Sequence, residues 1–455
     1  MNLKLVVASM SVLGVISGSA FAADTTAHPT KTHKVHRRHH VKTVKHTTVA
    51  QQDYKDMGSL PVQPAPVDAC TISQSSMVLD AVTQNMGRAL PNPCKPNWQN
   101  RIMISGGMNF DLGKWGNRNA NITGENYQRL SINDAYINVA ANVNDWARAF
   151  ASLSYSNPTT NTVTTAANQY SSVYNTTNLL NLEQAYVTLG NFDVSPLFLQ
   201  VGKGFQDFSR YNIHPITRSM TQVMSEVLAT SVKLGFVANG FNGSIYAFDD
   251  TIAKINQTSK PTNYGVSLGY EQPSDQLGWG VGAAYLYNMI SAQDVADHVD
   301  AFTLGNGYNS RVGAVALYAN VNSGPFRFDA TYTAAVQRFN ALDLPKNGVA
   351  DYVNLGANGN TPYSGAKPWA AGIKAGFGFD NWGKEQVVYV GYQTSRDAAG
   401  LGLPRHRWLG GYDVKWMDAV SFGVRWDHDK AYSVARGGNG RTTNLVSLRS
   451  EVQFS

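Results

Sequence analysis

The chain has 455 residues, of which 15% are charged and 11% are aromatic. This composition favours one large all-β unit, and the lack of a run of about twenty apolar residues after the N-terminal region excludes a helical membrane protein. The formal net charge of +6 comes from Lys4 and from residues 24–50, which carry six basic residues and one acidic residue. The rest of the chain is close to neutral, which argues against a nucleic-acid-binding protein.

The first 22 residues have the pattern of a cleaved secretory signal peptide. Lys4 precedes an apolar stretch at residues 5–16, and residues 20–22 read Ala-Phe-Ala, a small-residue cleavage site. The alternative is a membrane anchor, for which the apolar stretch is too short. We therefore expect export to the outer membrane of a Gram-negative bacterium.

Residues 23–66 are rich in Thr, His, Lys, Val and Pro and show no usable periodicity. They predict a disordered, His/Lys-rich periplasmic tail. Its histidines, in particular His33, His36, His39 and His40, could bind Zn²⁺, Cu²⁺ or Ni²⁺, because imidazole suits these ions. The alternative is a solvated cationic tail that is attracted to anionic polymers or membrane surfaces.

Residues 67–99 predict a short helical segment ahead of the first strand, with its apolar side chains on one side. Cys70 and Cys94 flank this segment, and passage through an oxidising compartment favours a disulfide between them. Two free thiols are the alternative. The segment is too short to form a full globular plug.

Residues 100–455 contain sixteen segments in which apolar and polar residues alternate. In residues 134–143, for example, Asp134 and Asn138 share one face, and Ile137 and Val139 share the other. A period of two indicates a β-strand with one apolar face. A soluble β-sandwich would alternate in the same way, so the connections between strands must decide between the two.

Short turns, such as residues 144–145 and 239–240, alternate with long polar loops, such as residues 158–177. Short turns at one end and long loops at the other are typical of transmembrane barrels. Phe454 resembles the terminal aromatic residue of bacterial outer-membrane proteins. The sequence therefore predicts an all-β protein, a transmembrane antiparallel up-and-down β-barrel of about sixteen strands. Four tryptophans at or beside the short turns fit an aromatic girdle: Trp146, Trp279, Trp382 and Trp416.

If the apolar face of each strand contacts lipid, the opposite face lines the lumen with charges of both signs. Such side chains either pair across strands as a structural ladder or select solutes at a constriction, and both interpretations stay open here. The predicted pore-lining residues are Asp134, Arg148, Gln184, Arg327, Asp329, Lys374, Asp413, Lys415, Arg425, Asp427, Arg449 and Glu451.

Residues 265–269 match the G-x-S-x-G pattern of a nucleophile elbow. That motif requires a strand, a sharp turn and a helix, whereas these residues lie within a predicted strand. We therefore expect no catalytic role for Ser267, no enzymatic activity and no cofactor.

Several strand and turn motifs are similar to those of a known family. They are residues 182–191 (LEQAYVTLGN), 196–203 (PLFLQVGK), 239–248 (NGFNGSIYAF), 391–393 (GYQ) and 399–404 (AGLGLP). Together they resemble the LbtU family of siderophore porins, and the likeness covers most of residues 100–455. The resemblance implies a sixteen-stranded barrel that takes up ferric siderophore without TonB coupling.

The first functional hypothesis is therefore an outer-membrane porin or receptor for siderophore or other iron complexes. Long loops would capture the ligand, especially residues 340–367 with Tyr352 and Tyr363, and the charged lumen would pass it. A general diffusion porin and an adhesin-like surface barrel are the alternatives. The expected partners are outer-membrane lipid, ferric siderophore or another small solute, and the barrel-assembly machinery during biogenesis.

Overall fold

The computed structural model describes residues 102–116, 127–144, 146–156, 179–191, 194–211, 215–257, 259–272, 277–346, 364–417 and 419–454. The predicted signal peptide, the periplasmic tail with its histidines, the Cys70–Cys94 disulfide and the loop tyrosines Tyr352 and Tyr363 lie outside these residues. They stay predictions.

Sixteen strands form one closed barrel in which each strand pairs antiparallel with its neighbours in sequence, and β1 pairs with β16 to close the sheet. The predicted sixteen-stranded antiparallel barrel is confirmed. The strands are β1 Ile102–Gly116, β2 Tyr127–Asn144, β3 Ala147–Ser156, β4 Leu179–Leu189, β5 Leu197–Phe205, β6 Leu228–Ala238, β7 Phe241–Asp249, β8 Thr262–Gln272, β9 Gly278–Leu286, β10 Ala314–Ser323, β11 Phe326–Ala335, β12 Trp369–Asn381, β13 Lys384–Arg396, β14 His406–Met417, β15 Val420–Lys430 and β16 Thr442–Phe454.

Helical structure in the described residues is confined to the connections. Two α-helices, α1 (Met220–Ser225) and α2 (Gln293–Thr303), lie between β5 and β6 and between β9 and β10. Short 3-10 turns occur at Met289–Ser291, Ala399–Leu401 and Val434–Arg436. Within the described ranges, no helix combines the length and apolar character needed to cross a membrane.

Side chains alternate between the two faces of the sheet as the period of two predicts. On β15, Val424 is 42% exposed and the next residue, Arg425, is fully buried; on β11, Phe328 is 44% exposed and Asp329 is 8% exposed. The outer face thus carries exposed apolar side chains and the inner face carries polar ones. A soluble protein has the opposite arrangement, so the outer surface is suited to lipid.

Tight turns join the strands at one end of the barrel. The turn between β6 and β7 consists of Asn239 (φ 51°) and Gly240 (φ 83°), and that between β12 and β13 consists of Trp382 (φ 54°) and Gly383 (φ 66°). Two successive positive φ angles match the right-handed twist of the flanking strands, which explains the Asn-Gly pair. The longer described connections, including those that contain α1 and α2, lie at the other end.

Aromatic side chains form a row at each end of the outer face. At the long-loop end Tyr264 stacks on Tyr287 with ring centroids 4.4 Å apart, and at the short-turn end Phe326 lies 5.1 Å from Phe377. On β12 the rows are separated by the ten positions between Trp369 and Phe379. At about 3.4 Å per residue and a tilt of about 40°, this corresponds to roughly 25 Å, the height of the apolar band of outer-membrane barrels.

The assignment of faces predicts opposite outcomes for lysine on β15. Val424→Lys places a charge in the apolar band and should reduce the free energy of unfolding in lipid vesicles by about 2–4 kcal/mol. Ser421 faces the lumen beside Glu451, its partner across the β15–β16 pair. Ser421→Lys should therefore change the free energy of unfolding little. Urea titration of the barrel in vesicles measures both, and equal effects would show that the faces are wrongly assigned.

Candidate functional site

The connection between β5 and β6, residues 206–227, folds into the barrel; we name it L3. Its helix α1 contacts β11, β12 and β13, which lie across the barrel from β5 and β6. The Met220 N–H donates to Gln393 Oε1 at 2.9 Å, and Thr221 Oγ1 lies 3.0 Å from Thr331 Oγ1. A connection of this length can reach those strands only through the lumen. L3 therefore narrows the channel, and the face carrying Thr331 and Gln393 is the inner one.

The first part of L3 is fastened to the near wall by ion pairs. The Lys233 Nζ on β6 is fully buried and lies 2.8 Å from Asp207 Oδ1, and the other Asp207 oxygen accepts a hydrogen bond from Ser244 on β7 at 2.7 Å. Farther along, Arg210 pairs with Glu271 on β8. A buried lysine requires such a partner because desolvation of an isolated ammonium group is costly.

The end of L3 is linked to α2 by one arginine. Arg218 pairs with Glu226 at 2.7 Å and with Asp294, in the first turn of α2, at 2.6 Å. Burial raises the pKa of the Glu226 carboxyl, and the guanidinium of Arg218 opposes that effect. The Gln222 amide also donates to Glu226 at 2.6 Å, so the carboxyl is held by groups from L3 on both sides.

A second arginine connects L3 to the wall formed by β14 and β15. Arg407 Nη1 donates to the carbonyl oxygen of Arg218 at 3.0 Å, and its Nε and Nη2 form two parallel bonds to Asp429 at 2.7 and 2.8 Å. The two-bond geometry fixes the plane of the guanidinium, which makes such a pair both strong and directional. L3 thus contacts the barrel wall at three places: β6 to β8, β11 to β13, and β14.

L3 and three other connections pack into one apolar core at the long-loop end; we name it the loop cap. Small residues on the inner face of the strand ends, such as Ala314, Ala316 and Ala370, also belong to this core. The larger members from the connections are Phe208, Met220, Met224, Val227, Met289, Ile290, Val295, Val299, Phe302, Tyr308, Val312, Phe339, Leu344, Leu401 and Leu403. The loop cap covers the lumen on the side of β6 to β13.

Several predicted pore-lining residues are paired on the inner wall. Arg425 Nε lies 3.0 Å from Asp427 Oδ1, and Asp329 lies directly opposite Lys374 in the β11–β12 register, with the Lys374 Nζ 4.1 Å from the Tyr389 ring centroid. The remaining pairs join a predicted residue to one that the sequence did not single out. They are Arg449 with Asp111, at 2.7 Å through two bonds, and Lys415 with Glu385, at 3.9 Å.

The other predicted residues are spread over several strands rather than gathered into one cluster. Asp134 on β2 and Gln184 on β4 are buried. The half-buried ones are Arg148, Arg327, Asp413 and Glu451. All of them lie on the inner face, and their role in conduction stays a prediction.

The sequence pattern missed the L3 residues and their wall partners. Asp207, Arg210 and Arg218 lie in a connection without periodicity. Their partners outside L3 are Lys233, Glu271 and Asp294, which belong to other strands or loops. L3 carries four charged residues among its 22, close to the 15% of the whole chain, so its composition gave no signal either.

Ser267 does not have the surroundings of a catalytic serine. It lies within β8, and its Oγ shares a hydrogen bond with Ser244 Oγ at 2.9 Å. The strand-turn-helix arrangement of a nucleophile elbow is therefore missing at this residue. In the described part of the chain, no group of three His, Cys, Asp or Glu side chains is arranged to hold a metal ion.

Comparison with known proteins supports the fold. No family model matches the chain. A UPF0422 protein of Coxiella burnetii is 23% identical over 290 residues, and a UPF0422 protein of Legionella pneumophila (strain Paris) is 25% identical over 286 residues. These alignments cover 60% and 59% of this chain but 59% and 50% of the two relatives, so the chain spans less than two thirds of their length.

Among solved structures, an anion-selective porin from Comamonas acidovorans is 11% identical to the chain. It has a TM-score of 0.51, and the match covers 78% of this chain and 99% of that porin. This likeness shows that the chain has a porin-like β-barrel fold.

The buried pair at the base of L3 yields a prediction. Lys233→Met leaves the Asp207 carboxylate buried without its cation and should lower the free energy of unfolding by about 3–5 kcal/mol. The double variant Lys233→Met/Asp207→Leu removes both charges and should recover most of that loss. Urea unfolding in vesicles tests both variants, and a double variant no more stable than the single one would contradict the pairing.

Proposed function

We propose that the chain is a channel of the outer membrane that passes small hydrophilic solutes. The observation that carries the proposal is a closed barrel with an apolar outer face and a charged inner face, narrowed by L3. Short turns would face the periplasm and long loops the cell exterior, as in transmembrane barrels. The porin-like fold supports the same function.

The geometry favours a route along one side of the lumen. L3 and the loop cap occupy the side of β6 to β13, and the facing wall carries pairs such as Arg425–Asp427 and Arg449–Asp111. Both charge signs occur along that wall, so neither cations nor anions are strongly excluded. A narrow route lined by both signs suits small polar molecules.

Uptake of ferric siderophore or another iron complex without TonB coupling is the second candidate. The resemblance of residues 182–248 to LbtU siderophore porins supports it. An iron complex is larger than a simple sugar, and the space taken by L3 and the loop cap favours the smaller solutes. An adhesin-like barrel is the third candidate, and we propose no enzymatic activity for the chain, since Ser267 is engaged within the sheet.

Swelling of liposomes containing the purified protein separates these candidates. Sugars of graded size should enter at rates that fall with size, and labelled ferric siderophore should show no saturable binding. Saturable siderophore binding would replace the small-solute proposal with the siderophore one. Failure of every sugar to enter, with no siderophore binding, would refute both transport proposals.

Size discrimination should depend on the anchoring of L3. Arg218→Met removes the ion pair with Glu226 inside L3 and the ion pair with Asp294 that joins L3 to α2. L3 should therefore become less restrained, and a trisaccharide should enter severalfold faster relative to a monosaccharide. Arg436→Met, at an exposed arginine between β15 and β16, is the matched control. It should leave the ratio of trisaccharide to monosaccharide entry rates unchanged. An unchanged ratio in Arg218→Met would show that L3 does not limit passage.

A further inference from the structure

A row of basic side chains follows the long-loop end of the outer face across six consecutive strands. Each strand from β10 to β15 contributes one residue at or just beyond its end. Side chains two positions apart share a face of the sheet, which places these residues on the side of the exposed apolar ones. In order around the barrel they are Arg311, Arg338, Lys367, Arg396, His406 and Lys430, and we name them the basic row.

The backbone pairing places the members of the basic row side by side. Arg396 lies directly opposite Trp369 at the start of β12, and Lys430 lies directly opposite His406. The extended chain before β12 continues the pairing, because the Ala335 N–H donates to the carbonyl oxygen of Pro368 at 2.9 Å. His406 and Lys430 are therefore separated by about the strand spacing, or about 5 Å. Arg396 is two residues out of register with Lys367 and with His406, which separates such diagonal neighbours by about 7–8 Å.

Immediately below the basic row lies the aromatic row of the outer face. Tyr392 and Trp408 have ring centroids 4.5 Å apart, and the Tyr392 hydroxyl lies 2.6 Å from His406 Nδ1. The Arg311 guanidinium lies 5.0 Å from the Tyr287 ring centroid. Aromatic belts mark the boundary between hydrocarbon and headgroups. Because two residues rise only about 7 Å along a strand, the basic row lies at headgroup height.

Three charges of the basic row are not neutralised by the protein. Lys367, Arg396 and Lys430 are exposed, and none of them forms an ion pair with a carboxylate in the described residues. On the described strands β10 to β15, no Asp or Glu occupies an outward position at this end. On β7, by contrast, the corresponding outward position holds the exposed Asp249. Adjacent like charges are unfavourable unless an anion binds between them.

We propose that the basic row binds the phosphate groups of a phosphorylated glycolipid in the outer leaflet, with its acyl chains against the aromatic row below. This inference rests on the outer-membrane location and the orientation proposed above. Basic side chains near a membrane surface attract anionic headgroups, and arginine can bind phosphate through two parallel hydrogen bonds. A row of like charges set along one arc of the rim fits a ligand that carries several phosphates.

Binding of fluorescent bisphosphorylated lipid A to the full-length protein in nanodiscs tests the proposal. The triple variant Lys367→Gln/Arg396→Gln/Lys430→Gln should bind at least about tenfold more weakly. The matched control Lys254→Gln/Lys260→Gln/Lys346→Gln removes three charges from loops outside the basic row and should bind like the natural protein. Dephosphorylated lipid A should bind equally to all three proteins. Inorganic phosphate in millimolar excess should not displace the bound lipid.

The proposal would be overturned if the two triple variants lost affinity for lipid A equally, or if the basic-row triple variant lost none. Displacement of the bound lipid by inorganic phosphate would also overturn it. If the triple variant does not fold, the single variant Lys430→Gln provides the same comparison, and its affinity for lipid A should fall about threefold. Sugar entry into liposomes should be unchanged in the triple variant. Weak lipid binding with normal sugar entry by the natural protein would refute the lipid site and leave the channel intact.

Discussion

The structure depends on the closure of its sheet. In hydrocarbon an unpaired backbone N–H or carbonyl costs several kcal/mol, so every strand of a spanning sheet needs a partner on both sides. The eleven-residue register between β1 and β16, from Gly106 opposite Phe454 to Gly116 opposite Asn444, supplies the last set of partners. The first and last strands are therefore as necessary as any in between.

Closure also determines where polar groups can lie. The outer face must be apolar, which leaves the inner face and the connections to carry the charges. Because this interior is wide, its charged side chains need partners, and they find them either on adjacent strands, as in Arg449–Asp111, or on L3, as in Lys233–Asp207. The same ion pairs that neutralise the wall thus hold L3 within the lumen.

The loop cap supplies a conventional hydrophobic core to a protein whose barrel wall has none. Met220 and Met224 of α1 pack with Val295, Val299 and Phe302 of α2, while Arg218 links the two helices at their polar side. Apolar packing and ion pairing therefore act on the same elements. We infer that displacing L3 would disturb both, which couples the width of the channel to the stability of the loops above it.

The sequence by itself determined the barrel, the number of strands and the face on which most side chains lie, because alternation and loop lengths are local properties of the chain. The inward positions of Arg425 and Asp427 followed from that alternation. Gln184 and Leu182 point to opposite faces although they are two residues apart, because the pairing of β3 with β4 shifts by one residue between Ser152 and Leu153. Only the tertiary structure decided the path of L3 and its partners Lys233, Glu271 and Arg407. These contacts join residues far apart in the chain, and no periodic pattern in the sequence indicates which strands a loop will contact across the lumen.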